Sequence, residues 1–350
     1  MIDLVHDVLI FNTGVTIMIR IGKISYWHVH AWDYTKQAQE HPGTEITAVW
    51  DENPERGRKA AEQQGVPFYE SLDEMLARED IDGVIVDAPT SMHRDVMVKA
   101  AKAGKHIFTE KVIASTLHEV NEILEAVKEH GVKLTVSLPR LNDGYTLAIR
   151  KILKEGLLGK VTLVRVRLSH NGATAGWLPE HFFSLSECHG GALIDLGCHP
   201  MYLTRLFLGE APVDVQANFG YVTGKEVEDN AVATLSTESG AVGIVEAGFV
   251  NNYSPFTIEI HGTDGTILYG TPDSKLLIRS SKKKEYSESW VELPVPANRE
   301  SAFEQWVTHI NAGTNADENI EYAVELTKLM EASNRAAKER RAVRLDELQA

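Results

Sequence analysis

The chain has 350 residues, of which 43% are hydrophobic and 24% are charged, a balance typical of a soluble globular enzyme with two domains. Acidic residues outnumber basic ones by 50 to 35, and the net charge of −15 argues against nucleic-acid binding, which needs an extended basic face. The two cysteines are too few for a disulfide framework and suit a cytoplasmic location, and no apolar stretch approaches the roughly 20 residues of a membrane helix.

Residues 1–17 are predicted to be an extension that adds little to the fold. They begin with acids and lack both a basic segment and a small-residue cleavage site, so they do not resemble a secretory signal. Met18 stands directly before the first strand pattern and offers a second possible start.

From residue 18 to residue 140 the chain alternates strand and helix patterns. Short apolar runs predict buried strands at residues 17–21, 46–50, 83–86, 106–109 and 133–136. Helical patterns lie between them, at residues 27–39, 54–64, 91–103 and 117–129. Repeated β-α-β units of this kind predict an α/β fold with a Rossmann-like, doubly wound parallel sheet, which is typical of a dinucleotide-binding domain.

Residues 141–350 are predicted to form a substrate-binding and oligomerisation domain of the α+β class. Helices at 145–155 and 199–208 flank a strand at 161–168, and helices at 301–312 and 319–338 come last. Between them, six strand patterns separated by turn residues, at 213–222, 231–237, 241–249, 256–261, 266–269 and 276–279, favour a largely antiparallel sheet. Because an exposed apolar sheet face is an association site, we expect a homodimer or homotetramer formed through this sheet.

The first βα turn carries a degraded form of the phosphate-binding fingerprint. In G-x-G-x-x-G the glycines allow a tight bend, close approach of the pyrophosphate and close packing of the helix. We assign the first glycine to Gly22, which leaves Ile24 and Trp27 in the other two places. The helix N-terminus and the hydroxyl of Ser25 still suit a phosphate. A plain loop that binds nothing explains the same residues.

Asp51 follows the second strand, where a carboxylate can bind the ribose hydroxyls of a dinucleotide and repel a 2′-phosphate. It therefore favours NAD over NADP. Arg56 and Arg58 on the next helix leave room for the phosphate, although we expect arginines at that distance along a helix to point to solvent. The alternative is that Asp51 is a surface acid that caps this helix.

Two later segments carry residues suited to hydride-transfer chemistry. Glu110 and Lys111 follow the fifth strand, at the edge where open α/β sheets bind ligands, and such a pair can hold a substrate hydroxyl. Asp195 and His199 are four residues apart in a glycine-rich stretch, so that histidine can take the alcohol proton while the carboxylate orients it. Alternatively, Lys111 is a solvated cation and His199 is a structural helix residue.

Taken in order, these segments resemble the glucose–fructose oxidoreductase/inositol dehydrogenase/MocA (GFO/IDH/MocA) family of sugar and polyol dehydrogenases. The resemblance runs from about residue 18 to about residue 270. It rests on Gly22 with His30, Ala31 and Tyr34, on residues 48–51 with Arg56, and on residues 88–93, 103–106, 110–111, 190–199 and 261–265. It implies that Lys111, Asp195 and His199 are the catalytic residues.

Together with the patterns above, the resemblance implies further binding residues. They are Gly22, Ile24, Ser25, Asp51, Arg56, Pro89, Thr90, His93 and Glu110 for the cofactor, and Arg140, Trp177 and Tyr202 for the substrate. Besides the degraded turn, this chain has Thr90 where the family usually has asparagine, Val112 in place of a proline, and Tyr202 in place of an aspartate. The substrate therefore cannot be copied from any one relative.

The sequence thus predicts an NAD-dependent oxidoreductase acting on a secondary alcohol of a sugar, polyol or sugar derivative, with no resident metal. One alternative is a sugar-binding protein that keeps the fold and has lost the cofactor. The other is a zinc protein, because Cys188-His189 and Cys198-His199 repeat a Cys-His pair, with His181 upstream. Their spacing matches no zinc finger or ribbon.

Overall fold

The computed structural model describes residues 18–271 and 273–348, so the predicted extension at residues 1–17 lies outside the described residues. The described chain is built on two sheets, one of six strands and one of nine. Each sheet is formed by one of the two stretches that the sequence patterns separated.

The first sheet is parallel and has the strand order β3-β2-β1-β4-β5-β6, which confirms the predicted doubly wound, Rossmann-like fold. Its strands are β1 (Ile19–Ile24), β2 (Thr44–Trp50), β3 (Phe68–Tyr69), β4 (Gly83–Val86), β5 (His106–Thr109) and β6 (Leu134–Val136). Its helices are α1 (Ala31–Glu40), α2 (Pro54–Gln64), α3 (Leu72–Leu76), α4 (His93–Lys102) and α5 (Leu117–Glu129). The sequence patterns missed only the short β3 and α3.

Strand β1 runs to Ile24, beyond its predicted end at residue 21. Gly22 and Ile24 therefore lie inside the strand, and our assignment of Gly22 to the first glycine of the turn is wrong. A Cβ on Gly22 would lie 3.2 Å from Met75 Cε and 3.3 Å from Ile81 Cδ1, so a larger residue there would push on the side chains packed beneath the sheet. The turn begins at Ser25, whose φ of 69° is a conformation that favours glycine.

The second sheet has the strand order β14-β13-β12-β11-β7-β10-β9-β8-β15, and its neighbouring strands are antiparallel except β7 and β10. The strands are β7 (Val161–Ser169), β8 (Pro212–Gly220), β9 (Asn230–Thr237), β10 (Val242–Gly248), β11 (Thr257–Gly262), β12 (Gly265–Tyr269), β13 (Leu276–Ser280), β14 (Val291–Leu293) and β15 (Val343–Arg344). The helices are α6 (Gly144–Lys154), α7 (Gly172–Ala175), α8 (Leu185–Cys188), α9 (Ala192–Asp195), α10 (Cys198–Leu208), α11 (Lys284–Ser287), α12 (Ala302–Ala312) and α13 (Asp317–Glu339). This confirms the predicted α+β class.

Helices α10 and α13 pack on one face of the second sheet, toward which Val164 and Val166 of β7 point their buried side chains. The opposite face mixes charged and apolar side chains where we expected an apolar surface. There Arg165 Nη2 lies 2.7 Å from Glu246 Oε1, and Arg167 Nη1 lies 3.9 Å from Glu246 Oε2. Val232, which pairs with Glu246 across the strands, is 38% exposed. The oligomeric state stays a prediction, and these charges interrupt the apolar face on which it was based.

Helices α12 and α13 return to the first sheet. Phe303 and Trp306 of α12 are buried against Phe108 of β5, with ring centroids 5.6 and 6.0 Å apart. Asn319 of α13 accepts the N–H of Val136 and donates to its carbonyl, each at 2.8 Å. These bonds occupy part of edge strand β6, which protects it from pairing with another chain.

Candidate active site

The carboxyl end of β5 and the start of α10 meet across a cavity of about 470 Å³, and Lys111, Asp195 and His199 all line it. Lys111 is buried, and its Nζ donates to the backbone oxygen of Asp195 at 2.6 Å and to Oδ1 at 2.9 Å. Burial lowers the pKa of Lys111, but the Asp195 and Glu110 carboxylates outweigh burial and hold it above its ordinary value. Lys111 is therefore a fixed cation in the cavity wall.

His199 lies in the first turn of α10 and is 8% exposed. Its Nδ1 lies 3.0 Å from the hydroxyl oxygen of Tyr202, which also accepts the backbone N–H of Arg140 at 3.0 Å. Burial, together with the cations of Lys111 and Arg140, holds the pKa of His199 well below its ordinary value. The imidazole is therefore neutral near pH 7 and able to accept a proton.

The three predicted substrate residues do not all reach the cavity. Arg140 and Trp177 line it; the Arg140 guanidinium lies 4.4 Å from the centre of the Phe256 ring, and Trp177 is 54% exposed. Tyr202 is fully buried, because it lies one turn further into α10 and points behind His199. The prediction that Tyr202 contacts substrate is wrong; Tyr202 orients the histidine.

Glu110 lies between the cavity and the first βα turn. It is buried, accepts the hydroxyl of Tyr34 on Oε2 at 2.6 Å, and has Oε1 3.2 Å from His30 Nδ1. Burial alone would raise the pKa of Glu110, but the nearby His28, His30 and Lys111 together hold it below its ordinary value. Glu110 is therefore ionised.

Glu228 positions the glycine-rich stretch that leads to Asp195. Its two carboxylate oxygens accept the N–H groups of Gly191 and Leu193, each at 2.9 Å. A Cβ on Gly191 would lie 2.0 Å from the backbone oxygen of Glu228, so only glycine allows this approach. Burial raises the pKa of Glu228 to about 7, although both N–H groups favour the carboxylate.

Replacing Glu228 with glutamine is expected to remove a pH dependence of stability. Because the folded pKa is about 7 and the ordinary value is 4.5, the stabilisation is present below about pH 4.5 and is lost as pH rises through 7. Relative to the variant, the wild type should lose about 1–3 kcal/mol of unfolding free energy between pH 5 and pH 8. Urea unfolding at each pH measures this, with exposed Glu226→Gln as the control; parallel curves for Glu228→Gln and wild type would contradict it.

The structure places Asp51 at the tip of β2, as predicted, but its carboxylate is already occupied. Asp51 is 2% exposed and accepts the N–H groups of Tyr26 at 2.9 Å and Asn53 at 2.8 Å. Arg56 donates to it through Nε at 3.0 Å and Nη2 at 2.7 Å. The expectation that Arg56 points to solvent is therefore wrong, and Arg56 offsets the charge that was expected to repel a 2′-phosphate.

The backbone of the first turn is also occupied. The N–H groups of Ser25, Trp27 and His28 donate to Trp50 O, to the Ser25 hydroxyl and to Asp87 O, at 2.7, 3.1 and 3.1 Å. A dinucleotide pyrophosphate binds to free N–H groups at this turn. Because these three N–H groups already have acceptors within the protein, they are not available to a pyrophosphate in this conformation.

Residues 171–189, the covering segment, pack onto the same turn. The ring of Phe182 stacks on Trp27 with centroids 5.0 Å apart, and Glu187 Oε2 accepts the indole N–H of Trp27 at 2.6 Å. If Ser25 occupies the first glycine position of the G-x-G-x-x-G motif, Trp27 occupies the second, and its side chain is only 6% exposed. In this arrangement the covering segment closes the turn to the pyrophosphate of a dinucleotide.

The predicted cofactor residues after β4 have different surroundings. Pro89 is buried and Thr90 is half-buried, and α8 of the covering segment packs on the turn that Thr90 opens. His93 is 1% exposed, and its ring nitrogens lie 2.9 Å from Val112 O and 3.1 Å from Ala88 O. His93 therefore holds two loops of the protein together, and the prediction that it binds the cofactor is wrong.

The cysteines do not form the zinc site that was the second alternative. Cys188 and Cys198 are buried, and their Sγ atoms lie 3.3 Å from His181 O and 2.9 Å from Asp195 O. Burial raises the pKa of each thiol to about 12, so neither is a thiolate near neutral pH. Within residues 18–271 and 273–348, neither cysteine belongs to a group of three candidate metal ligands.

Sequence reasoning missed the cluster that His28 and His30 of the turn form with Glu110. His28 Nδ1 and His30 Nδ1 lie 3.7 and 3.2 Å from Glu110 Oε1, and one ligand atom from each of the three residues lies within 4.8 Å of the others. The His-x-His spacing was a visible signal, but its carboxylate partner is 80 residues from His30.

Comparison with known proteins gives matches along both sheets. Residues 16–138 match the family model described as "Oxidoreductase family, NAD-binding Rossmann fold", and residues 146–268 match "GFO/IDH/MocA C-terminal domain". The chain is 30% identical over 261 residues to scyllo-inositol 2-dehydrogenase (NAD(+)) of Bacillus subtilis, covering 73% of each protein. The chain belongs to the GFO/IDH/MocA oxidoreductase family.

Further proteins similar to this chain differ in the ligands that their names give. Myo-inositol 2-dehydrogenase of Thermotoga maritima is 24% identical over 87% of this chain and 92% of its own length. The scyllo-inositol 2-dehydrogenase (NADP(+)) of Bacillus subtilis is 29% identical over 68% of this chain and 72% of its own. A solved levoglucosan dehydrogenase, in complex with NADH and levoglucosan, shares the fold with a TM-score of 0.79 at 21% identity, covering 93% of this chain and 98% of that one.

The first sheet of this GFO/IDH/MocA protein is thus an NAD-binding Rossmann domain by family. In the described part of the chain, no helix combines the length and the apolar character needed to cross a membrane.

Proposed function

We propose that the protein oxidises a secondary alcohol of a sugar, polyol or sugar derivative, or reduces the corresponding ketone, with NAD as the hydride carrier. Family membership and the inositol dehydrogenase relatives support the reaction class. The observation that carries it is the cavity in which Lys111, Asp195 and a neutral His199 face one another.

His199 is proposed to remove the hydroxyl proton of the substrate. When its Nδ1–H donates to the Tyr202 oxygen, Nε2 keeps a free lone pair, and burial keeps the ring neutral. In the reverse direction the same ring returns the proton. Tyr202 is a positioning residue in this scheme because it acts only through His199.

Lys111 is proposed to stabilise the negative charge that develops on the substrate oxygen. Its ammonium is held by Asp195 through two acceptors, so its position in the cavity wall is fixed before substrate binds. Arg140 and Trp177, on the other walls, are proposed to bind the remaining hydroxyls of the substrate.

NAD would accept or donate the hydride at the carboxyl edge of the first sheet, near Asp51 and Arg56 at its ribose end. The closed turn counts against tight binding, because Trp27 and the covering segment must move before a pyrophosphate can reach it. We therefore propose that NAD binds weakly, and that Asp51 still favours it over NADP.

Titration of the purified protein with NADH and NADPH, followed by fluorescence, tests the cofactor assignment. The wild type should prefer NADH, and Asp51→Ser should shift the ratio of the two affinities about tenfold toward NADPH, because it removes one of the two carboxylates that hold Arg56 and leaves only Glu52. Exposed Asp73→Ser is the control. A wild type that already prefers NADPH would overturn the assignment, and no saturable binding of either would favour a sugar-binding protein.

A further inference from the structure

We infer that His28, His30 and Glu110 form a binding site for a divalent first-row transition metal, which we assign first to Zn²⁺. Two imidazoles and one carboxylate are the ligand set of open zinc sites. The assignment does not rest on the proposed reaction, because it depends on the ligand geometry alone.

The two distances from the carboxylate to the histidines fit a single ion, and the two imidazoles lie within 4.8 Å of each other. Ligand atoms about 2.0–2.2 Å from a tetrahedral zinc lie about 3.3–3.6 Å from one another. Glu110 Oε1 lies 3.2 Å from His30 Nδ1 and 3.7 Å from His28 Nδ1. The backbone N–H of His30 donates to His28 Nδ1 at 3.2 Å, a long bond that a metal would replace.

Groups around the ligands hold them in place. The hydroxyl of Tyr34 donates to Glu110 Oε2 at 2.6 Å, which leaves Oε1 directed at the histidines. Asp195 Oδ1 lies 3.9 Å from Nε2 of His28, on the opposite side of the ring from Nδ1. Carboxylates behind metal-binding histidines and hydrogen bonds to metal-binding carboxylates are common features of metal sites.

The charge around the site is suited to a cation. Lys111 Nζ lies 3.9 Å from Glu110 Oε1, and its charge opposes a metal. The same ammonium is bound to Asp195 Oδ1 at 2.9 Å, so the two carboxylates outnumber the one ammonium beside the histidines.

The site opens toward the substrate cavity. His28 and Glu110 are buried, whereas the His30 side chain is 42% exposed, and both His30 and Glu110 line the cavity with Lys111. A metal held there keeps a free coordination position on the cavity side. A hydroxyl or carbonyl oxygen of a polyhydroxylated ligand could occupy this position.

Calorimetric titration of the chelator-treated full chain with Zn²⁺, without cofactor or substrate, tests the site. We expect one equivalent to bind, and His30→Ala to weaken binding at least a hundredfold, because it removes one of three ligands. Tyr34→Phe should weaken binding about tenfold, as loss of a supporting hydrogen bond does. His118→Ala is the matched control, since this histidine is exposed in α5 and lies outside the cluster.

Visible spectroscopy with Co²⁺ identifies the ligands independently of affinity. We expect d–d bands of a low-coordinate nitrogen and oxygen site that disappear in His30→Ala. A thiolate charge-transfer band would place the metal at a cysteine and overturn the assignment, as would the absence of saturable Zn²⁺ binding or equal affinities in His30→Ala and His118→Ala. None of these outcomes depends on NADH binding, so the proposed reaction and this site fail separately.

Discussion

Replacing His199 with alanine is expected to lower turnover about 10²–10⁴-fold, the usual effect of losing a general base. The neutral imidazole of His199 lines the cavity, and its Nδ1 is held by the hydroxyl of Tyr202. Steady-state rates of the wild type and the variant, with a polyol such as an inositol as the first substrate tested, measure the change.

The pH profile of the wild type provides a second measure of the same role. Burial, Lys111 and Arg140 lower the pKa of His199, while Glu110 and Asp195 oppose them. The rate of alcohol oxidation should therefore stay level as pH falls to 6.5 and decline only below it. The control is NADH affinity, which should be nearly the same in His199→Ala; equal turnover in the two proteins would refute the assignment.

Replacing Trp27 with glycine is expected to strengthen NADH binding ten- to a hundredfold. The indole is stacked on Phe182 and bonded to Glu187, and these contacts hold the covering segment on the turn. A ligand that needs a rarely populated open state loses affinity in proportion to that population, and a variant that favours the open state recovers it. Fluorescence titration measures the affinity.

Phe182→Ala keeps the turn intact and removes the stacking partner, so it should strengthen NADH binding in the same direction. This second variant matters because truncating a buried tryptophan can cost about 3–5 kcal/mol of stability. Trp290→Ala is the control, since Trp290 is 42% exposed and directly precedes β14 of the second sheet. Unchanged NADH affinity in both Trp27→Gly and Phe182→Ala would show that the closed turn is not what limits the cofactor.

Much of the fold followed from the sequence because it is encoded locally. Apolar runs predicted every strand of the first sheet except the short β3. Helix α2 is marked at its start by the cap Asn53 and by Pro54, and at its end by Gly65 in a left-handed conformation. Lys111, Asp195 and His199 line one cavity, since Lys111 follows β5, Asp195 ends α9 and His199 lies in the first turn of α10. Their catalytic roles stay predictions.

The register of the turn could not be predicted, because it depends on a pair of distant residues. The predicted strand ended at residue 21, before Lys23, and a lysine is normally excluded from a buried strand. In the structure Lys23 is fully buried and pairs with Asp87, which is 64 residues away in sequence. The same kind of distant contact decides that Arg56 turns to Asp51 and that Glu110 meets the two histidines.

The packing of α12 beneath the first sheet has a consequence for how the protein is made. The apolar cluster around Ile19, Ile21 and Phe108 is completed by Phe303 and Trp306. About 170 residues separate the end of the first sheet from these side chains, so a ribosome needs roughly ten to thirty seconds to synthesise the missing cover. During that interval the nascent Rossmann domain exposes an apolar surface that is prone to aggregation, and we expect chaperones to bind it. For the same reason the domain is expected to aggregate when it is expressed as an isolated fragment.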